Sequence, residues 1–244
     1  MQEAQGEKKK KMHGIIVDAT ILTVALLIST VLMVQHSNAV QVMVDTREDR
    51  YFRPINPNID LLFGNPEADL FIVEYGDLEC PYCKEFHAQA KTLIKSDWGI
   101  SGKVAWVWRN GFHINETSLK KAQTLECIRL HAGEQARLAA WKFIEESLIG
   151  GVMEDAYPHD RYKMIMDRLN IPFNEVEQCR KEGKDIAPYI LQAIQDVRKL
   201  NIDETPYIQF ISGSGELLFE SVGSLTTAQL ESYIANILQN NKKR

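Results

Sequence analysis

Two cysteines three positions apart, Cys80 and Cys83, with Pro81 and Tyr82 between them, constrain this chain more than any other stretch. On the first turn of a helix such a pair faces itself and cycles between a dithiol and a small disulfide. Before it runs Leu70-Phe71-Ile72-Val73-Glu74-Tyr75, a short apolar segment that reads as a buried strand. After it, Phe86, Ala90, Leu93 and Ile94 recur at helical spacing, so the motif stands where a strand hands over to a helix. Pro81 suits the first helical turn, where its missing N–H costs nothing. A helix N-terminus favours a nearby anion, lowers a thiol's pKa and makes a nucleophilic thiolate available. Redox chemistry is the first expectation.

Other uses of a CxxC fit less well. A structural zinc site needs four ligands, usually from a second CxxC or a close His pair. Cys127 and Cys179 stand apart from each other, and His87 supplies at most a third ligand. No metal site is therefore expected, although a metal-delivery module using Cys80 and Cys83 as soft ligands stays open as an alternative. A c-type haem attachment needs His after the second cysteine, and Lys84 stands there. The net charge of -5 argues against a nucleic-acid partner.

Along the chain, residues 1–14 form a polar tail ending in a lysine run, and residues 15–34 are almost wholly apolar. Twenty helical residues span roughly 30 Å, the hydrocarbon thickness of a bilayer. With the lysines kept cytoplasmic, a transmembrane anchor here sends the rest of the chain across. A cleaved signal peptide ending near Ser37-Asn38-Ala39 is the alternative. Residues 35–58 read as a linker closed by Arg53-Pro54-Ile55-Asn56-Pro57-Asn58. Asp60-Leu61-Leu62-Phe63 reads as a short edge strand, and Val104 to Trp108 as a further strand; the CxxC helix is expected to end near Trp98-Gly99. A helical period then takes over, carried by Leu138, Trp141, Ile144 and Leu148, by Tyr162, Ile165, Met166 and Leu169, and by Ile190, Ile194 and Val197 behind an N-cap at Asp185. Strand character returns in a hairpin, Tyr207–Ile211 and Glu216–Glu220. Thr226 and Gln229 form a capping-box pair for a last helix carrying Leu230, Tyr233, Ile234, Ile237 and Leu238.

This order of elements resembles the DsbA-like branch of the thioredoxin superfamily. The resemblance covers residues 58 to 240 and rests on Val73-Glu74-Tyr75 leading into Cys80-Pro81-Tyr82-Cys83, and on Thr205-Pro206 opening a strand about 120 residues later. It implies an α/β, thioredoxin-like fold with an inserted all-helical subdomain, preceded by a single transmembrane helix. Its first part would be residues 59–112, the helical insertion 113–190, and its second part 191–240. Cys80 would be the exposed cysteine that enters mixed disulfides, and Cys83 its buried resolving partner. Pro206 would be a cis-proline against the cysteine pair, Thr205 would offer its backbone to substrate, and Pro81 and Tyr82 would border the binding surface. Glu74 would be a buried acid exchanging a proton with Cys83. From the residues alone, Pro206 reads instead as an ordinary trans proline at a strand start.

Two features depart from the family pattern. Glu204 stands where glycine is common, and Asp77 and Glu79 precede Cys80. Acids near a thiolate raise its pKa, which predicts a disulfide less oxidising than the roughly -120 mV of DsbA. Cys127 and Cys179 are expected to form a structural disulfide within the insertion, with two buried free thiols as the alternative.

The function expected is thiol–disulfide interchange on exported, cysteine-containing proteins, on the periplasmic side of a bacterial inner membrane. It needs no cofactor beyond the redox-active Cys80–Cys83 disulfide. A DsbB-like, quinone-linked membrane oxidase would restore that disulfide, and the chain would act as a monomer. An isomerase or reductase with the same site kept reduced is the alternative within the class. A redox-inert, peptide-binding chaperone is the alternative outside it.

Overall fold

The computed structural model describes residues 51–111, 116–147, 163 and 166–241. The anchor expected at 15–34, the tail before it, most of the linker, His113, His159, and the helix-stripe residues Leu148, Tyr162 and Ile165 lie outside the described residues. Among the described residues no helix is long and apolar enough to cross a membrane.

Among those residues, β1 (Leu61–Phe63), β2 (Leu70–Gly76), β3 (Val104–Asn110), β4 (Tyr207–Ser212) and β5 (Leu217–Val222) form one sheet in the order β1-β3-β2-β4-β5. Strand β2 is central, parallel to β3 and antiparallel to β4. All of its residues are buried, which explains a run that is apolar almost throughout. Parallel neighbours need a crossover, and α1 (Pro81–Ile94) with the short α2 (Asp97–Ile100) supplies it. The two helices are separate, whereas one helix to Trp98–Gly99 was expected. The N–H groups of Lys95 and Ser96 turn back to Thr92 and Leu93 at 3.1 and 3.0 Å, and this closes α1 early.

Side chains alternate across the sheet. Leu70, Ile72 and Glu74 of β2 share a face with Trp106 and Trp108 of β3, against Phe86, Ala90 and Leu93 of α1. Phe71, Val73 and Tyr75 face the other way, into a smaller cluster with Ala105, Val107 and Ile211. On the first face lie α3 (Glu116–Ser147), kinked at Gly133, and α4 (Phe173–Glu182), with Trp141 of α3 packed edge-on to Trp106 and Trp108. A disulfide joins Cys127 of α3 to Cys179 of α4, with an S–S distance of 2.07 Å.

Three sequence expectations need correction. The boundary at residue 190 falls inside α5 (Ala187–Leu200). That helix is preceded by Ile186 as its cap, without a side-chain bond, so Asp185 does not cap it; Pro188 in its first turn sets the start instead. Residues 51–58 are not a free linker. Arg53 bridges Asp60 (2.7 Å) and Asp196 (2.8 Å), Arg109 binds Asp60 through two nitrogens and takes the Arg53 carbonyl, and Phe52 and Ile55 pack on the sheet. The expected capping box is present at the start of α6 (Thr227–Asn241): Thr226 N–H donates to Gln229 Oε1 at 3.0 Å, and Gln229 N–H donates to Thr226 Oγ1 at 3.3 Å.

Candidate active site

The turn after β2 delivers Cys80 to the N-cap of α1 and places Cys83 one turn inside. Their surroundings differ sharply. Cys80 is half-buried and lies in an open groove with Asp77, Glu79, Pro81, Tyr82, Glu85, Glu204, Thr205, Gly223 and Ser224. Cys83 is fully buried and receives the Asp77 N–H at 3.3 Å. Tyr82 stands out from the surface at 64 % exposure. Across the groove the Thr205–Pro206 peptide is cis, and the Cys80 thiol donates to the Thr205 carbonyl at 3.3 Å. The structure thus brings Cys80, Cys83, Pro81, Tyr82, Thr205 and Pro206 to one place.

Environment sets the two thiols apart. Cys80 is lowered to about 5, first by a hydrogen bond from the Cys83 thiol, with the Thr205 side chain and the N–H groups of Cys83 and Tyr82 adding to it. These outweigh its partial burial, which acts the other way. Burial raises Cys83 strongly, and the negative charge of Glu74 raises it further. The expectation that flanking acids would raise Cys80 does not hold, and geometry explains why. Asp77 turns inward to accept from Ser118 Oγ at 2.7 Å and from the Glu79 N–H at 2.8 Å, while Glu79 pairs with Lys121.

A stability test follows from the lowered pKa. In the reduced, folded protein Cys80 loses its proton near pH 5, but in the unfolded chain only near pH 9. Between these limits the unfolded state binds more protons, so stability rises with pH. The reduced form should therefore gain on the disulfide form as pH rises from about 5 to 9, and lose that gain on acidification through 5. Urea unfolding of both forms at several pH values checks this; a difference independent of pH would contradict it.

Glu74 is fully buried, as its apolar neighbours implied, but it is not alone beneath the cysteines. Because it shares the β2 face that α1 covers, it meets His87, one turn beyond Cys83, at 3.0 Å. Trp106 Nε1 donates to its other oxygen at 3.1 Å. Gly76 leaves room for this carboxylate, since a Cβ there would lie 2.5 Å from Glu74 Oε1. Burial raises the Glu74 pKa despite both hydrogen bonds. His87 was weighed on sequence only as a third metal ligand; its ring instead turns to Glu74 and toward Glu145 of α3. Its spacing of four from Cys83, on the buried face of a helix, was the available signal. Among the described residues no group of three or more His, Cys, Asp or Glu could hold a metal ion. Lys103 is an exposed residue just ahead of β3 and takes no part.

Comparisons with known proteins agree with this geometry. A family model described as Thioredoxin matches residues 58–214. The chain is 55% identical over 163 residues, 66% of its length, to the Na(+)/H(+) antiporter NhaA 1 of Mycobacterium sp. strain KMS, of which that match covers 25%. It thus spans about a quarter of the length of the curated relatives it matches. Among solved structures it is similar to BdbD from Bacillus subtilis in its oxidised form, with a TM-score of 0.61, 18% identity, and coverage of 78% of this chain and 98% of that one. Pseudomonas aeruginosa DsbA2 aligns with a TM-score of 0.56 and 24% identity over 77% of this chain and 97% of its own. For Wolbachia pipientis alpha-DsbA1 the values are 0.60 and 20%, over 77% and 92%. At these identities the likeness is one of fold.

Proposed function

The chain belongs to the thioredoxin family, and on that premise we propose that it is an exported, membrane-tethered thiol–disulfide oxidoreductase that oxidises cysteine pairs in extracytoplasmic proteins. The observation that carries this reading is the split between an accessible Cys80, lowered to about 5, and a fully buried Cys83. A substrate thiolate attacks Cys80 Sγ, a bond forms between them, and the Cys80–Cys83 bond breaks with its electron pair on Cys83. Glu74, buried and charge-coupled to Cys83, is the proton source for that leaving sulfur. The substrate's second thiolate then attacks its own sulfur in the mixed disulfide. It leaves as a disulfide, and Cys80 leaves as a thiolate. The lowered Cys80 pKa favours this direction, because a stabilised thiolate stabilises the reduced enzyme.

The apolar run at residues 15–34 supports tethering to a bacterial inner membrane with the catalytic domain on the periplasmic side. The Cys127–Cys179 bridge suits an oxidising compartment. A quinone-linked, DsbB-like membrane partner would accept the two electrons held by the reduced pair. The whole antiporter's transport is no part of this proposal, since the chain matches only 25% of it.

The reduction potential of the Cys80/Cys83 pair, equilibrated against glutathione, tests the direction. A thiolate lowered to about 5 lies between the roughly 3.5 of DsbA and the roughly 7 of thioredoxin. The potential is therefore expected between roughly -120 and -270 mV, above thioredoxin's value. A potential at or below thioredoxin's would overturn the oxidase reading in favour of a reductase.

A further inference from the structure

Beneath the cysteine pair runs a buried row of alternating charge. Glu74 of β2 stands 3.0 Å from His87 Nε2, and His87 Nδ1 stands 3.7 Å from Glu145 Oε1. Glu145 in turn pairs with Lys91, whose side chain is 33% exposed. The row thus leads from the interior at Cys83 to the surface of α1. Two aromatic rings hold it in place, with the His87 centroid 5.5 Å from Trp106 and 5.0 Å from Trp141. Each partner follows from element geometry: His87 is one turn after Cys83, and Glu145 is one turn after Trp141, which docks α3 on the sheet.

Resting on the oxidoreductase reading above, we propose that His87 is a positioning residue for Cys83, relaying protons between Glu74 and the surface through Glu145. When the Cys80–Cys83 bond breaks, Cys83 takes a proton from Glu74. The charged His87 ring restores it to Glu74 from Nε2 and, left neutral with its remaining proton on Nδ1, takes its second proton back from solvent. No electron crosses the row, and one proton enters for each thiol formed at Cys83. A carboxylic acid sealed in an apolar core could give up its proton once but would have no route to regain it. The groups facing His87 are Glu74 from β2, Glu145 from α3 and the indoles of Trp106 and Trp141, with Lys84 and Lys91 of α1 acting on it through Glu145. Glu74 and Glu145 overcome the burial that opposes charging of the ring, holding His87 protonated up to about pH 9.

The test is single-turnover reduction of the disulfide by dithiothreitol across pH 5 to 10, for the wild type, His87→Gln and Glu145→Gln. Glutamine still donates a hydrogen bond to Glu74 but cannot release or take up a proton between pH 5 and 10. His87→Gln is expected to slow reduction roughly 10²-fold, the lower end for a positioned acid–base group, and to lose the limb near pH 9. Glu145→Gln, at the outer end of the row, should slow it about tenfold. Iodoacetamide alkylation of Cys80 in the reduced variants should keep its midpoint near pH 5, because the Cys83 thiol, Thr205 and the N–H groups of Cys83 and Tyr82 set it, and neither variant touches them. Wild-type rates and pH profile in a folded His87→Gln would overturn the relay, and so would an unchanged Glu145→Gln if His87→Gln fails to fold. A wild type that exchanges no disulfide would instead remove the oxidoreductase reading itself.

Discussion

Cys80→Ser will reduce disulfide exchange to the rate of the buffer alone, whereas Cys83→Ala will still capture substrate but hold it as a mixed disulfide. The two cysteines share a motif and differ in burial. Cys80 is half-exposed at the floor of the groove; Cys83 has no exposed surface, so only Cys80 is open to an incoming sulfur. At pH 7 a thiol of pKa about 5 is almost wholly thiolate, while one near 9 is about 1% thiolate. Serine at position 80 removes the sulfur that must bond to substrate, and the high pKa of Cys83 prevents it from taking over. Alanine at 83 leaves that bond intact but removes the only partner that could resolve it from within the chain. Its Cys80 should also be less acidic, since the Cys83 thiol is the largest cause of the lowered pKa. A stopped assay with a disulfide-bonded peptide, whose S–S bond breaks and releases one thiolate as Cys80 bonds to the other sulfur, followed by non-reducing electrophoresis, separates the two outcomes. Substantial turnover by Cys80→Ser would remove Cys80 from its role.

The cysteine pair, the strand before it and the helix after it were legible because they are local. An apolar run, a proline at a first turn and a helical stripe each report on a few consecutive residues. Thr205–Pro206 needed the family resemblance, since its residues alone favour a trans proline, whereas the peptide is cis. His87 was missed for the opposite reason. Its meaning lies in Glu74 across the β2–α1 turn and in Glu145 on another helix, and no local period shows that these three meet. The acids before Cys80 misled in the same way. Their number could be read, but not that Asp77 points to Ser118 and Glu79 to Lys121. Asp196 explains residues 51–58 likewise: a distant carboxylate on α5 turns an apparent spacer into an anchored strap through Arg53 and Tyr51.

Removing the Cys127–Cys179 disulfide should cost about 4 kcal/mol of folding stability. The bridge closes a loop of 52 residues, and in the chain-entropy account a loop of that size restricts the unfolded state by about this amount. The folded state loses little, because both sulfurs sit among apolar neighbours such as Ile128 and Val176. Cys127→Ala with Cys179→Ala is therefore the informative variant; serine would add two buried hydroxyls and confound the measurement. The five strands of the sheet and the residues lining the Cys80 groove all lie outside α3 and α4, which carry the bridge. The double variant should thus keep its exchange chemistry in dilute buffer while its urea midpoint falls. Since α3 also carries Trp141, Glu145 and Lys121, the exchange rate should then decline in step with unfolding of the insertion, not ahead of it. A midpoint loss worth less than about 1 kcal/mol would mean that packing of α4 on α3, not the covalent link, holds the insertion in place.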